Sequence, residues 1–220
     1  MNMSRKYSKA AVKKLMDDYI ELRDEIIQRL NEFSKIWQSR DDRKIFAEMA
    51  FCLLTPQSKA IVCWNAVEKI FNNDDLSNLT QDSILKCLMG VRFKYTKSKR
   101  IIDAIEKFYI RNSIVEILQR FDSSYTAREW LVGNVFGFGY KEASHFLRNI
   151  GWGKNLAILD RHILKNLFAI GVMDEIPRSM NGKKYLSIEK KMQKFSEYIR
   201  VPMDHLDLLF WARRTGKIFK

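Results

Sequence analysis

Apolar residues recur at intervals of three and four along most of this 220-residue sequence, a spacing typical of amphipathic helices. Residues that interrupt helices are scarce, since the chain contains only three prolines and nine glycines. Alternating runs of valine, threonine and tyrosine beside Asn-Gly turns, which indicate a sheet, are nearly absent. We therefore predict an all-α fold. The predicted helices span residues 8–33, 43–54, 58–71, 81–89, 96–109, 113–121, 127–134, 141–150, 161–170, 187–199 and 203–213.

Two polar segments, 72–78 and 174–184, interrupt the helical pattern more strongly than the other turns. Neither segment is long enough to act as a flexible linker. We therefore predict a single domain over residues 1–220, with a cleft between two helical lobes that these segments divide.

The sequence carries a strong excess of positive charge, with a formal net charge of +13 and a pI near 9.6. Residues 178–220 hold eleven Lys or Arg and four Asp or Glu residues, and five further cations lie from Arg92 to Arg100. Either group alone is also typical of a solvated helix face. The excess over the whole chain predicts attraction to a polyanion, and nucleic acid explains it best.

The three cysteines, Cys52, Cys63 and Cys87, are widely spaced and form no Cys-x-x-Cys pair. This pattern argues against a disulfide framework and against a zinc or iron–sulfur site. We expect no metal site and a reducing, intracellular setting in the cytoplasm or nucleoid. The amino terminus lacks the apolar stretch of a signal peptide, and no apolar run approaches the ~20 residues that span a membrane.

A glycine-rich turn lies within residues 131–150, between two predicted helices. Gly137 and Gly139 flank Phe138, which allows a tight turn with the phenylalanine pointing inward. Backbone N–H groups at the start of the following helix then face outward, where they can bind an anion such as a DNA phosphate. The alternative is an ordinary corner between helices with glycine after the first helix.

Residues 136–143, Phe-Gly-Phe-Gly-Tyr-Lys-Glu-Ala, resemble the helix-hairpin-helix motif that many DNA repair proteins share. Lys141 stands in the first turn of the second helix, and Asp160 stands directly before helix 161–170. Taken alone, they are most simply a surface lysine and a helix N-cap. The helix-hairpin-helix glycosylase superfamily couples such a hairpin to a glycine-rich loop, here Gly151-Trp152-Gly153, and an essential aspartate. The proline often found in that loop is absent from this sequence.

A narrower resemblance covers roughly residues 40–220 and is to the archaeal and thermophilic-bacterial 8-oxoguanine DNA glycosylase/AP lyases. It implies a helix-hairpin-helix DNA glycosylase fold with two helical lobes flanking a base-binding cleft. The segments that carry this resemblance are 50–58, 139–149, 156–164, 175–177, 184–186 and 207–217.

The resemblance implies a reaction in which Lys141 and Asp160 are catalytic. An enzyme that acts on a base must flip it out of the duplex, and loss of the base leaves positive character on the sugar. A carboxylate at Asp160 stabilises that charge. The neutral amine of Lys141 then attacks the sugar and forms a Schiff base, and β-elimination breaks the strand. Asp160 as the base that deprotonates Lys141 remains an open alternative.

The resemblance also implies a base pocket formed by Gln57, Ser58, Trp211 and the final residue, Lys220. Trp211 is expected to stack on the flipped purine, with a core aromatic as the alternative. Met89 and Phe93 could line the opposite side of this pocket, but core positions explain them more simply. His145 and His162 lie within the segments that carry the resemblance, and we expect structural roles for both.

The expected partner is double-stranded DNA that contains oxidised guanine, bound by a monomer without a cofactor. Some family hairpins hold a monovalent cation on backbone carbonyls, and that possibility stays open here. Two other functions are considered: a glycosylase for another damaged purine, and a non-catalytic helix-hairpin-helix DNA-binding module. Lys141 argues against a glycosylase that lacks lyase activity, and a binding module leaves the pairing of Lys141 with Asp160 unexplained.

Overall fold

The structure, a computed structural model, describes residues 7–73 and 75–220. These residues form α-helices and short helical turns without a β-strand, which confirms the all-α prediction. A 3-10 turn, Leu76–Asn78, precedes α4, and a π-helical turn, Glu106–Ile110, continues α5. The helices are α1 (Lys9–Gln38), α2 (Asp42–Leu54), α3 (Ala60–Phe71), α4 (Gln81–Cys87), α5 (Lys94–Ile105), α6 (Ile114–Leu118), α7 (Ser124–Asn134), α8 (Tyr140–Asn149), α9 (Arg161–Ile170), α10 (Gly182–Ile199) and α11 (Met203–Thr215).

The largest differences from the predicted helices lie at helix ends. Helix α1 continues to Gln38, and α10 begins at Gly182 because the Asn181 side chain accepts a hydrogen bond from the Lys184 N–H. The predicted start of the third helix at Ser58 is wrong, since α3 begins at Ala60 and Lys59 occupies its N-cap position. The polar residues at these ends, which suggested loops, thus belong to the terminal turns of the helices.

One compact unit, here called the central unit, comprises Ser34–Trp152. Its core is α2, in which every residue from Ile45 to Leu54 except Ala47 is buried. A helix that is apolar on nearly all sides must be surrounded, and α3, α5, α6 and α8 pack against it. Each large apolar side chain buried in this way stabilises the fold by roughly 1.5–3 kcal/mol.

The second unit, here called the terminal unit, comprises the described residues up to Phe33 together with Gly153–Lys220. Within it, α11 packs against α9 and α10. Asp18 Oδ2 lies 2.7 Å from Arg213 Nε, and the Tyr19 hydroxyl lies 2.9 Å from His205 Nδ1. These two contacts tie α1 to α11.

The prediction that segments 72–78 and 174–184 divide the lobes is wrong, because each of them lies inside one unit. The divisions follow Phe33, in the middle of α1, and Trp152. The polar residues of the two segments serve local turns instead. Asp75, for example, caps the 3-10 turn by accepting a hydrogen bond from Ser77 N–H.

Three observations concern only residues 7–73 and 75–220. All three cysteines are free. No three or more His, Cys, Asp and Glu side chains are grouped so that they could hold a metal ion. No helix in this part of the chain combines the length and the apolar character needed to cross a membrane.

Candidate functional site

The connection between α7 and α8 forms the predicted hairpin in the central unit. Gly137 has a φ of +98°, in the left-handed region that favours glycine, and a Cβ there would lie 2.5 Å from Arg100 Cδ. Phe138 is buried with its ring centroid 6.1 Å from that of Phe146, which agrees with the predicted inward orientation. Phe136 stays exposed, and the Arg100 guanidinium lies 5.6 Å from its ring centroid. The hairpin therefore combines a tight backbone with an adjacent cation.

Gly139 is the N-cap of α8, and its backbone is extended. Its N–H donates a hydrogen bond of 3.2 Å to Glu142 Oε2, and a Cβ would lie 3.3 Å from the same oxygen. The φ of Gly139 is one that any residue can adopt. Glycine is favoured here because the absence of a Cβ lets the Glu142 carboxylate approach closely. The remaining N–H groups of the first helical turn have no acceptor within the helix, so the positive helix end can bind an anion.

Lys141 lies in the first turn of α8, where its Nζ is 3.1 Å from Glu142 Oε1. Glu142 therefore ties the amine to the hairpin, because its other oxygen accepts the Gly139 N–H. Only a neutral amine is a nucleophile, so a reaction at Lys141 would first require this ion pair to open. The sequence analysis missed Glu142, although its spacing from Gly139 fits the capping pattern in which the third helical residue bonds to the N-cap backbone.

A layer of buried polar side chains lies between α2 and α8. Glu48 Oε2 accepts a hydrogen bond of 2.9 Å from Asn149 Nδ2, and Arg148 is buried close by. Burial raises the pKa of the Cys52 thiol well above its usual value, and the charge of Glu48 raises it further, whereas Lys141 and Arg148 oppose the shift. Lys141 is therefore within electrostatic reach of this layer, and the helix that carries it is held firmly on its inner face.

The turn between α2 and α3 carries two predicted base-binding residues, Gln57 and Ser58. Gln57 is exposed and has a φ of +57°. Ser58 Oγ accepts two hydrogen bonds of 3.0 Å, one from Arg92 N–H and one from Lys97 Nζ. Two accepted bonds use both lone pairs of the Ser58 hydroxyl oxygen, so of these two residues Gln57 is the one that presents its side chain outward.

Lys97 belongs to the group of five cations that the sequence associates with polyanion attraction, yet its side chain is buried and only 2% of the residue is exposed. Besides Ser58, its Nζ donates to the carbonyl oxygens of Leu54 and Pro56, both at 2.7 Å. Burial lowers the pKa of Lys97 to about 8, an effect that Cys63 partly opposes and nearby cations increase. A surface role for this lysine is therefore wrong.

Met89 and Phe93 are 67% and 56% exposed, so the prediction that they belong to the core is wrong. Phe93 is the N-cap of α5 with a φ of +57°, and the Arg92 guanidinium lies 5.4 Å from its ring centroid. The Arg92 N–H donates a hydrogen bond to Ser58, so the exposed surface formed by Phe93 and Arg92 adjoins the Gln57 turn. Such a combination suits contact with nucleic acid bases.

Asp160, in the terminal unit, is the N-cap of α9. Its Oδ1 accepts two backbone hydrogen bonds, from His162 N–H at 2.7 Å and from Ile163 N–H at 2.8 Å. The preceding residues Leu156–Leu159 are buried, as the sequence predicts. The capping interpretation of Asp160 is therefore correct, and it also fixes the carboxylate in one orientation at a positive helix end.

Trp211 is partly exposed on α11, rather than enclosed in the core. Its ring centroid lies 5.9 Å from that of His162 in an edge-to-face arrangement, and Arg214 donates a hydrogen bond to His162 Nδ1. Burial lowers the pKa of His162, and Arg214 adds to this effect while Asp160 opposes it. His162 thus links the helix that Asp160 caps to the predicted stacking residue.

Lys220 follows α11, which ends at Thr215, and it is partly exposed. Gly216 turns the chain with a φ of +68°. Thr215 Oγ1 donates to Trp211 and Lys217 carbonyl oxygens over 2.9 Å each. These bonds connect the last residues of the chain to the helix of Trp211.

Comparison with known families identifies a family whose model covers most of the chain. The family model described as 8-oxoguanine DNA glycosylase matches residues 26–201. The chain is 42% identical over 204 residues to an 8-oxoguanine DNA glycosylase/AP lyase of Fusobacterium nucleatum, covering 92% of this chain and 94% of that protein. It is 37% identical over 202 residues to the Methanocaldococcus jannaschii protein of the same name, with coverage of 91% and 94%.

Solved structures are similar along nearly the whole chain. The 8-oxoguanine DNA glycosylase of M. jannaschii matches with a TM-score of 0.84 at 34% identity, covering 95% of each chain. A structure of the M. jannaschii glycosylase/lyase in complex with a 15mer DNA containing 8-oxoguanine also gives 0.84, at 33% identity and coverage of 95% and 99%. The Thermotoga maritima enzyme gives 0.82 at 29% identity, with coverage of 95% and 98%.

Proposed function

Since the chain belongs to the 8-oxoguanine DNA glycosylase family, we propose that it excises 8-oxoguanine through Lys141 as nucleophile, with Asp160 as the acidic partner. The chain is a DNA glycosylase with AP lyase activity, and its substrate is DNA. The observation that carries the residue assignment is the place of Lys141, an amine on the first turn of the helix that follows the glycine hairpin.

The reaction begins with cleavage of the bond between the sugar and the damaged base. The base leaves with the bonding electrons, and Asp160 stabilises the positive character that develops on the sugar. Lys141 Nζ bonds to the anomeric carbon once its amine has lost a proton and left Glu142, and opening of the sugar ring gives the Schiff base. Loss of a proton from the adjacent sugar carbon then expels the 3′ phosphate and breaks the strand.

Binding of the DNA backbone is assigned to the hairpin. N–H groups at the start of α8, in the turn shaped by Gly137 and Gly139, bind a phosphate oxygen. Arg100 packs on Gly137 and adds a full positive charge beside them. These groups carry no sequence information, which suits an enzyme that must act at a lesion in any sequence.

Binding of the flipped base is assigned to Gln57, Trp211 and Lys220. Gln57 offers both donors and acceptors from an exposed position, and Trp211 offers a partly exposed ring on which a purine can stack. The oxygen of Ser58 already accepts two hydrogen bonds, so Ser58 contributes to base binding by shaping the turn that it shares with Gln57. A monomer acting on duplex DNA inside the cell completes the proposal, and the chemistry assigned to Lys141 and Asp160 requires no cofactor.

Borohydride trapping tests the assignment of Lys141. The protein is mixed with a duplex that contains one 8-oxoguanine, and borohydride is added to reduce any Schiff base. We expect a covalent protein–DNA adduct for the wild type and for Lys69→Gln, an exposed-lysine control in α3, but none for Lys141→Gln. An abasic site without an adduct in the wild type would make water the nucleophile, and intact DNA would favour another damaged purine or a binding module.

Asp160→Asn tests the acidic partner in the same assay. Asparagine is a good N-cap, so α9 keeps its start while the negative charge is lost. We expect base excision to slow by about 100- to 1000-fold, the usual effect of removing one electrostatic contact to a transition state. Excision at the wild-type rate contradicts the role of Asp160.

A further inference from the structure

The turn that presents Gln57 is held by the buried amine of Lys97. We infer that Lys97 is a positioning residue for base excision, acting through the Gln57 turn rather than through contact with DNA. This inference rests on the proposed function, in which Gln57 contacts the damaged base. Lys97 lies on α5 and Gln57 between α2 and α3, so the contact joins two distant parts of the chain.

The Lys97 ammonium has three donors, and three acceptors surround it. Two of them are the carbonyl oxygens of Leu54 and Pro56 at 2.7 Å, and the third is Ser58 Oγ at 3.0 Å. Pro56 and Ser58 directly flank Gln57 in the chain. The amine therefore fixes the backbone before Gln57 and the side chain after it.

Gln57 needs such support because its backbone is in the left-handed region, with a φ of +57°. A residue other than glycine costs about 1–2 kcal/mol there and keeps that conformation only when its surroundings impose it. The Arg92 N–H adds one more bond to Ser58, and Cys63 Sγ donates to the Leu54 carbonyl over 3.2 Å. Lys97 is the charged group in this set, and bonds from a charged donor are roughly twice as strong as neutral ones.

Placing a lysine at this buried position is costly. Burial lowers its pKa to about 8, and the surrounding charged groups that also affect the pKa of Lys97 are mostly cations, namely Arg92, Arg100 and Lys141. A neutral side chain could fill the same space without that cost, but it could not satisfy three acceptors at once. The cost is consistent with a function in holding the turn.

The two reactions of the enzyme should respond differently to loss of Lys97. Excision requires the base to be held, so a displaced Gln57 turn slows it. Attack of Lys141 on an abasic site has no base to hold, and the hairpin that positions Lys141 makes its own contacts with Glu142 and α2. A defect in excision with intact trapping at an abasic site is the expected signature.

Lys97→Met tests this signature, with Lys69→Met as a control that removes one exposed lysine from the same unit. Single-turnover excision of 8-oxoguanine and borohydride trapping on a preformed abasic site are measured for both. We expect Lys97→Met to slow excision about 10- to 100-fold, as small misplacements of binding groups do, while trapping and the control stay near wild type. Equal loss of both activities, or no loss of excision, overturns the inference.

A double-mutant cycle with Gln57→Ala tests whether Lys97 acts through Gln57. If it does, Lys97→Met adds little to the excision defect of Gln57→Ala. Additive defects overturn the inference, and so does wild-type excision by Gln57→Ala. Wild-type protein that fails to excise 8-oxoguanine at all is a different outcome and contradicts the proposed function itself.

If Lys97→Met does not fold, Ser58→Ala, which removes one of the three acceptors, must reproduce the excision defect with normal trapping.

Discussion

Lys97 shows how a single buried charge links the stability of this protein to pH. Its pKa is lowered by burial from an ordinary value of 10.5 to about 8. Between these two values the unfolded chain keeps a proton that the folded chain has released, so raising the pH favours folding. This gain in the free energy of unfolding is complete above about pH 10.5 and is lost as the pH falls through about 8.

We predict that wild-type protein gains stability relative to Lys97→Met as the pH rises from 8 to 10. Each unit of pKa shift corresponds to ~1.4 kcal/mol of stability before solvent screening is considered. Screening reduces this value, so we expect a total gain on the order of 1 kcal/mol. Urea unfolding of both proteins at several pH values measures it, and comparing the two removes the contributions of other groups. A difference that is constant or falls with pH contradicts the prediction.

At the scale of single residues, the sequence indicates those candidates whose local pattern is formed by their neighbours along the chain. Gly137, Lys141 and Asp160 stand in local patterns, a hairpin turn and two helix starts. Lys97 does not, because the carbonyl groups that enclose it come from residues more than forty positions away. Periodicity likewise cannot tell that the apolar Phe93 lies at an exposed N-cap, since burial depends on what packs there.

The hairpin is the element to which we assign binding of the DNA backbone, and its two glycines differ. Gly137→Ala introduces strain at a φ of +98° and pushes a Cβ toward the Arg100 side chain, 2.5 Å away. We predict a loss of stability of about 1–2 kcal/mol and weaker binding to damaged and undamaged duplexes alike. Gly139 has no such φ, so the strain is specific to the first glycine.

Gly133→Ala is the matched control, since it lies within helix α7 and a Cβ there meets nothing within 4 Å. Alanine should stabilise the helix by about 0.5–1 kcal/mol and leave DNA binding unchanged. Thermal unfolding and duplex affinity are measured for both variants. Gly137→Ala with wild-type affinity would show that the turn does not bind phosphate in the way proposed.

Helices were predicted well as elements because their apolar residues recur regularly, and the cores of most predicted helices coincide with the observed ones. Their ends were harder to predict. The start of α10 depends on the side chain of Asn181, and the start of α7 on that of Ser123, each of which accepts one backbone hydrogen bond. Caps of this kind involve one or two hydrogen bonds, which leave little trace in composition.

At the scale of the whole molecule, the sequence predicted the fold class but misplaced the division into units. The described residues up to Phe33 belong with Gly153–Lys220, so the terminal unit combines an early and a late part of the chain. Such an arrangement leaves no linker to find, because one division falls inside a continuous helix, α1. The two polar segments that suggested divisions are turns within single units.

The net charge of +13 makes a prediction about the whole molecule, which is that duplex affinity depends steeply on salt. Each phosphate that a lysine or arginine neutralises releases counterions, so the logarithm of affinity falls linearly with the logarithm of salt concentration. We expect Arg100→Met to make that slope shallower by about one unit, since Arg100 lies against the hairpin turn at Gly137. Lys69→Met removes the same charge from an exposed position on α3 and should leave the slope unchanged.

Binding of an undamaged duplex from 50 to 200 mM salt measures the slope for all three proteins. A shallower slope for Arg100→Met alone assigns a phosphate contact to the hairpin. Equal changes in both variants would mean that affinity follows total charge rather than a defined site, since any one cation would then be as effective as another. An unchanged slope for Arg100→Met would leave phosphate binding to the backbone N–H groups of α8.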